Sequence, residues 1–238
     1  MPSITEPEPE VEDLEVAAAE LVSLLLHEHP AVVDQALQAV LSYSDDPEGI
    51  ALLRDLPVVE GRPDAPQALL QLAERSVAQP KVRTDAVIAL VNLSSDAAIA
   101  SDLSQAGVAS TALALAAAAG SGAAAGGVDA QHRLLQLCCN LTRNNSAVAA
   151  LLGDEEADAT PGRATEQLGR ITEQLLTAVD GGDVTVRPAL GALLRMLTNV
   201  TAEEQGQTYV MTLLSSLLRD SVVQSEDDDV RAGLCVLS

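Results

Sequence analysis

The sequence predicts an all-α protein in which helices stack as a series of repeats. Leu and Ala recur at spacings of three and four residues, whereas alternating β-branched stretches bounded by turns are scarce. The apolar fraction is 47%, yet there is no Trp or Phe, so the core must be built from Leu, Val, Ala and a few Ile. One short helical phrase also occurs four times, which indicates repeated units.

The N-terminal segment differs in composition from the rest of the chain. Residues 1–13, MPSITEPEPEVED, combine Pro with acidic residues, and we predict a disordered acidic tail there. Residues 14–238 are predicted to form the repeat domain. This N-terminus is the opposite of a secretory or transit peptide, and the apolar run 21–26 is too short to span a membrane. A cytosolic or nuclear location is therefore expected.

The repeated phrase ends with Asn or Ser, then Leu, Val or Tyr, then Ser or Thr. Its four copies are Ala36–Ser44, Ala86–Ser94, Leu134–Thr142 and Leu193–Thr201. We call the residues on which the copies align the anchors: Ser42, Asn92, Asn140 and Asn199. The anchors lie 50, 48 and 59 residues apart. Armadillo and HEAT repeats are shorter, at roughly 40 to 47 residues.

Insertions between helices account for the extra length. Segments 57–66, 120–127 and 154–162 carry the Pro, Gly and acidic residues of solvated loops. The predicted fold is therefore a right-handed armadillo/HEAT-like α-solenoid with Gly/Pro-rich inter-helix loops. A further run that begins at Val230 stops at Ser238, before its own anchor position, so the domain is predicted to be truncated at its C-terminal end.

Charge and cysteine content narrow the function classes. Thirteen Lys and Arg stand against 35 Asp and Glu, a formal net charge of −22, which disfavours nucleic acid and anionic membranes as partners. The charge favours a basic partner surface, although solubility alone also explains it. The three cysteines include no Cys-x-x-Cys, so neither a disulfide framework nor a zinc site is indicated, and a reducing compartment fits.

The anchors are the leading candidates for a protein-binding site. In repeat solenoids that bind extended peptides, an Asn near the end of each third helix can bond the peptide backbone through its amide. Asn92, Asn140 and Asn199 occupy that position, and Arg143 and Asn144 could add donors at the groove edge. The alternative is that the amides tie each helix end to the turn that follows it. Arg143 and Asn144 would then be an ordinary polar turn.

No catalytic, cofactor or metal site is predicted, and several superficial motifs are rejected. Cys138 and Cys139 could serve a thiol-dependent enzyme, but no thiolate-lowering motif accompanies them and buried packing is favoured. His27 and His29 are expected to lie on a helix, where residues two apart point in different directions and cannot share a metal ion. The Gly-rich segment 120–127 lacks the Gly-Lys-Ser/Thr of a phosphate loop.

Longer phrases around the anchors carry a family resemblance. They are ALVNLSSD at 89–96, LCCNLTRNN at 137–145, MLTNVT at 196–201 and DVRAG at 229–233. Together they resemble the brain-protein-sixteen family, from about residue 21 to residue 238, without that family's C-terminal part. The resemblance implies a cytosolic armadillo-type adaptor that assists the folding of translation elongation factor two beside the cytosolic chaperonin.

Two rival functions remain open on the sequence alone. One is a generic armadillo scaffold or transport adaptor that binds extended peptides; the other is the thiol-dependent enzyme. A nuclear-import receptor is disfavoured, because such receptors carry Trp four residues before the Asn, where this chain has Ile88, Gln136 and Arg195.

Overall fold

The structure, a computed structural model, describes residues 11–56, 63–76, 78–120, 127–143, 148, 163–202, 204, 206–208 and 210–211. Every regular element within these ranges is helical, which confirms the all-α prediction. The elements are α1 (Val11–Leu24), α2 (Pro30–Ser44), α3 (Pro47–Arg54), α4 (Ala65–Arg75), α5 (Pro80–Leu93), α6 (Ala97–Gln105), α7 (Val108–Ala119), α8 (Gly127–Leu141), α9 (Arg163–Asp180), a 3-10 turn (Val184–Val186) and α10 (Arg187–Val200).

Three sequence-based boundaries differ from the observed helices. Helix α1 begins at Val11, three residues before the predicted start of the repeat domain at residue 14. The last Pro of the acidic segment is Pro9, so the chain beyond it is free to form a helix. The predicted loops 57–66 and 120–127 are also too long, because α4 already begins at Ala65 and α8 at Gly127. Residues 1–10, 121–126, 149–162 and 212–238, where the remaining tail, loop and C-terminal predictions fall, lie outside the described residues.

Aspartate caps start the short helices that follow an anchor. Asp46 Oδ1 accepts hydrogen bonds from the backbone N–H groups of Glu48 and Gly49, both at 2.9 Å. Asp96 occupies the same repeat position and accepts from Ala98 and Ile99 at 2.9 and 3.1 Å. Such caps satisfy N–H groups that have no partner within the helix. The turn after each of these anchor phrases therefore ends with a defined helix start.

The chain divides into two compact units, residues 1–99 and 100–238. In the first unit α5 packs against α2 and α4, and α2 also packs against α1 and α3. Its core is aliphatic, with the following leucines fully buried: Leu25, Leu37, Leu69, Leu72, Leu90 and Leu93. Helices α2 and α5 each carry an anchor near their C-terminal end, and we call such helices anchor helices.

The second unit repeats this arrangement. Anchor helix α8 packs against α7 and against the next anchor helix, α10, while α9 packs against α7. Leu113, Leu134, Leu135, Leu137, Leu141 and Leu168 are fully buried there. In each unit, therefore, anchor helices of successive repeats stack directly on one another. This nearest-neighbour stacking is the arrangement of a helical-repeat protein, and the predicted all-α helical-repeat architecture is confirmed within each unit.

Among the described helices, none is by itself both long and apolar enough to cross a membrane. Helices α5 and α6 reach that length and composition only as a bent pair.

Candidate protein-binding surface

The anchor Asn92 connects two successive repeats. It lies at the end of α5 and is half-buried. Its Nδ2 donates to Ser44 Oγ at 3.2 Å and to Asp45 Oδ1 at 2.8 Å, both at the end of α2. Ser44 Oγ donates in turn to the Leu41 carbonyl at 2.8 Å, so an oxygen lone pair is left for the amide. Asn92 therefore fixes the end of one anchor helix to the end of the preceding one.

The anchor Asn199 makes the equivalent connection in the second unit. Its Nδ2 donates to the Cys139 carbonyl at 3.0 Å and to Thr142 Oγ1 at 3.3 Å. Thr142 Oγ1 donates to the Cys138 carbonyl at 2.8 Å, just as Ser44 donates to its own helix. Ser44 and Thr142 each lie two residues after an anchor. We call this amide-to-hydroxyl contact between successive repeats the anchor bond.

The anchor bond leaves one group of each Asn unused. The amide oxygens of Asn92 and Asn199 accept no hydrogen bond within the described part of the chain. They remain acceptors for a backbone N–H of a bound segment. The prediction that these residues bind protein therefore stays a prediction. The alternative role, a tie to the following turn, differs from the observed contact, because each amide nitrogen reaches back to the preceding repeat.

The other predicted site residues surround the third anchor. Asn140 is half-buried near the end of α8, and Arg143 is exposed just beyond that helix. Asn144 lies outside the described residues. Asp46 and Asp96, the residues at its aligned position in the first two repeats, are the helix caps described above. The second unit thus holds Asn140, Arg143 and Asn199, and the first unit holds Asn92.

In the first unit the stacked anchor helices expose an acidic surface. Lys81 Nζ lies 3.1 Å from Asp85 Oδ2 and 3.6 Å from Asp34 Oδ1, and Gln38 Nε2 donates to Asp85 Oδ2 at 3.0 Å. The hydrogen bond and charge of Asp85, followed by the charge of Asp34, raise the pKa of Lys81. Two carboxylates, Asp34 and Asp85, thus lie beside one ammonium group, and a third, Asp45, lies beside Asn92. We call these residues, Asp34, Gln38, Asp45, Lys81, Asp85 and Asn92, the first-unit face.

In the second unit the same side of the anchor helices is basic. Arg133 NH1 donates to Gln136 Oε1 at 3.2 Å, and its Nε lies 3.8 Å from Asp129 Oδ1. Burial lowers the pKa of His132, and the charges of Arg133 and Arg195 lower it further against the opposing effect of Asp129. Arg195 on α10 therefore lies close to His132 on α8. The second-unit face is defined by Arg133, Gln136, Asn140, Arg143, Arg195 and Asn199.

Sequence reasoning missed this difference in charge between the two faces. Arg133 and Asp85 both lie seven residues before an anchor, and Gln38, Gln136 and Arg195 lie four before one. Positions four and seven before a fixed residue share one side of a helix. Comparing the charges at those positions in each repeat could have identified both faces.

The adjacent cysteines belong to the core of the second unit. Cys138 and Cys139 are both buried. Burial, and to a lesser extent the neighbouring Cys139, raise the pKa of the Cys138 thiol to about 12. The Cys138 Sγ lies 3.8 Å from the Ala109 carbonyl, a contact typical of a weak S–H donor in a packed interior. The helical placement predicted for His27 and His29 is wrong, because both lie in the segment between α1 and α2. Among the described residues, no group of three or more His, Cys, Asp or Glu is placed to hold a metal ion.

We expect Cys138 to react slowly with iodoacetamide in the folded protein. A thiol with a pKa of about 12 stays protonated at neutral pH, and its reactive thiolate becomes more populated only as the pH rises toward that value. Mass spectrometry of tryptic peptides at increasing urea should show labelling of Cys138 only as the second unit unfolds. Rapid labelling at neutral pH without urea would instead support the thiol-dependent enzyme.

We expect Asn199→Ala to lower the free energy of unfolding by about 1 to 2 kcal/mol, because it removes the anchor bond and leaves the buried Thr142 hydroxyl with one partner fewer. Urea unfolding followed by circular dichroism measures this loss. The matched control is Thr198→Ala, whose exposed hydroxyl only returns to the Leu194 carbonyl of its own helix. Equal losses for the two variants would contradict a role for the anchor bond in stability.

Comparison with known proteins gives distant structural likenesses only. No protein-family model matches the chain, and no curated protein matches it.

An engineered protein of known crystal structure is 17% identical over 92% of this chain and 94% of its own, with a TM-score of 0.46. A designed armadillo repeat protein is 17% identical over 90% of this chain and 94% of its own, with a TM-score of 0.44. A chain from a study of the interaction between cadherin and β-catenin is 15% identical over 87% of this chain and 46% of its own, with a TM-score of 0.41. The repeat assignment therefore rests on the helix stacking within each unit.

Proposed function

We propose that the chain is a non-catalytic scaffold that binds other proteins through the exposed faces of its anchor helices. The observation that carries this proposal is the anchor bond, which joins the same two repeat positions in both units, at 3.2 and 3.3 Å. It holds neighbouring anchor helices together and leaves the amide oxygens of the half-buried Asn92 and Asn199 without a hydrogen bond within the described residues. Regularly placed polar groups on rigid helices suit the recognition of an extended segment, because its backbone presents N–H groups at regular intervals.

The two faces give such a scaffold selectivity. Their side chains differ in charge at equivalent repeat positions. Each face would therefore recognise a partner segment by the sign of its charges as well as by its backbone. Electrostatic complementarity of this kind contributes to specificity and association rate more than to affinity. Neither face needs a nucleotide, metal or prosthetic group in order to bind a peptide.

The test compares two substitutions in the second unit that reverse the same charge. Arg195→Glu changes the second-unit face, whereas Arg170→Glu changes an exposed position on α9, where Arg170 is bonded to Glu166 at 2.8 Å. Both variants and the unmodified chain are tested for binding to an array of short peptides that covers diverse sequences. We expect the Arg195 variant alone to lose or change its set of bound peptides. A scaffold role for this face is refuted if no peptide binds the unmodified chain, or if both variants bind as it does.

A more specific proposal is that the bound protein is translation elongation factor two, assisted by the cytosolic chaperonin. Its support is the sequence resemblance around the anchors, above all residues 137–145. The tagged chain should then recover the elongation factor together with chaperonin subunits from cytosol, as identified by mass spectrometry. Recovery of neither would remove this assignment and leave the general scaffold.

A further inference from the structure

The second unit carries arginines without acidic partners in a strongly acidic chain. The chain has 35 acidic residues against 13 basic ones. Yet the side chains of Arg143, Arg187 and Arg195 are exposed and form no ion pair or hydrogen bond within the described residues. Other exposed cations in those residues do have partners: Arg54 pairs with Asp55 and Asp96, Lys81 with Asp85, and Arg170 on α9 with Glu166, while Arg75 donates to the backbone carbonyls of Leu25 and Leu26. The absence of partners is thus confined to α10 and the end of α8.

Requirements of the helices themselves do not explain two of these three cations, Arg187 and Arg195. Arg187 opens α10, where the positive end of the helix dipole disfavours a cation. Arg195 lies in the interior of α10, away from both ends, and its charge adds to that of Arg133 beside His132. Only Arg143, just beyond the C-terminal end of α8, has a favourable position relative to a helix dipole. Arg133 and Arg195 lie on one side of the stack, where their positive charges repel each other. Among the described carboxylates, only Asp129 offsets this repulsion.

Two kinds of group therefore meet on the second-unit face. Arginines at 133, 143 and 195 supply planar guanidinium groups that match carboxylates in geometry and charge. Asn199, four residues after Arg195 on α10, supplies an amide oxygen that accepts no hydrogen bond within the described residues and can accept one from a backbone N–H. An extended peptide with acidic side chains supplies both carboxylates for the arginines and backbone N–H groups for the Asn199 amide oxygen.

We propose that the second-unit face binds an extended acidic segment of a partner protein. The arginines pair with its carboxylates, and the Asn199 amide oxygen accepts a hydrogen bond from its backbone. This inference rests on the scaffold function proposed above and names the chemical class of the segment. Nucleic acid fits the face less well, because its sugar-phosphate backbone has no N–H group to donate to the Asn199 amide oxygen. A chain with a net charge of −22 also repels its continuous phosphate charge more strongly than the few carboxylates of a short segment.

The experiment measures fluorescence anisotropy with three labelled peptides of equal length. One alternates Glu with Leu, the second replaces every Glu by Lys, and the third replaces every Glu by Gln. A short single-stranded RNA serves as the fourth probe. We expect the unmodified chain to bind the acidic peptide best, with an affinity that falls as salt is added.

Variants of the chain assign the binding to this face. Arg195→Glu, which reverses the charge, should weaken binding of the acidic peptide by about tenfold or more. Arg195→Gln and Arg143→Gln, which remove the charge without reversing it, should each weaken binding to a smaller extent. The control Arg170→Glu should leave it unchanged, and circular dichroism should show the same helix content for all variants. Equal weakening by the Arg170 control would overturn the proposal.

The outcomes separate this inference from the scaffold function. Preferred binding of the Lys or Gln peptide would overturn the acidic-segment proposal and leave the scaffold in place. Tighter binding of RNA than of any peptide would overturn it in favour of a nucleic-acid surface. Failure of all three peptides to bind would overturn both proposals.

Discussion

Replacing Gly49 by Ala should destabilise the first unit by about 2 kcal/mol or more, despite the higher helix propensity of Ala. Gly49 lies in the first turn of α3, where its own N–H bonds the Asp46 cap. A Cβ at this position would overlap the Tyr43 carbonyl oxygen and lie 2.8 Å from the Tyr43 Cα. These are backbone atoms at the end of α2, so they cannot move aside as a side-chain tip could. The free energy of unfolding in urea measures the effect.

Gly191 provides the matched control, because it is also a helical glycine but has open space around it. A Cβ added there would meet no atom within 4 Å. Gly191→Ala should therefore stabilise the protein by about 1 kcal/mol, the difference in helix propensity. Opposite signs for the two substitutions are the expected result, and a gain in stability for Gly49→Ala would contradict the close approach of α3 to the end of α2.

Leu137→Ala should cost about 2 to 5 kcal/mol, the range found when a fully buried leucine is truncated. Leu137 is 0% exposed on α8, the helix that packs against both α7 and α10. The lost contacts and the cavity left behind therefore affect the centre of the second unit. Because the chain has no Trp, unfolding is best followed by far-ultraviolet circular dichroism.

Leu194→Ala is the control for the buried leucine. Leu194 lies on the neighbouring helix α10 and is 56% exposed, so its truncation removes little packing and should change the free energy of unfolding by less than about 0.5 kcal/mol. A loss below about 1 kcal/mol for Leu137→Ala would mean that α8 is not the central helix of the unit.

The sequence was sufficient to predict the helices and the repeat anchors. The three- and four-residue spacing of Leu and Ala predicted helices, and the phrase ending in Asn and Ser or Thr located the C-terminal ends of α5, α8 and α10. The burial of Cys138 also followed from its apolar neighbours and the missing thiolate motif. All of these rest on patterns within about one helix length, where spacing alone determines which residues share a face.

Features that depend on contacts between repeats could not be predicted in this way. The partner of Asn92 is Ser44, 48 residues away, and the partner of Asn199 is Thr142, 57 residues away. Gly49 and Gly206 both lie seven residues after an anchor, and a Cβ on either would overlap the carbonyl oxygen of the residue that follows that anchor. The second repeat has Ile99 at this position, so the pattern is incomplete and gives no signal in one sequence. The opposite charges of the two faces likewise emerge only when the exposed side of each helix is known.

Because of the anchor bond, the alignment of two neighbouring anchor helices does not depend on the length of the segment that connects them. Asn92 and Asn199 reach the same hydroxyl position even though their repeats differ by nine residues in length, 50 against 59. Insertions and deletions in the connecting segments can therefore accumulate over evolution without shifting one anchor helix along another. New recognition loops could be added to such a protein by lengthening the connections, while the stack of helices that carries them keeps its geometry.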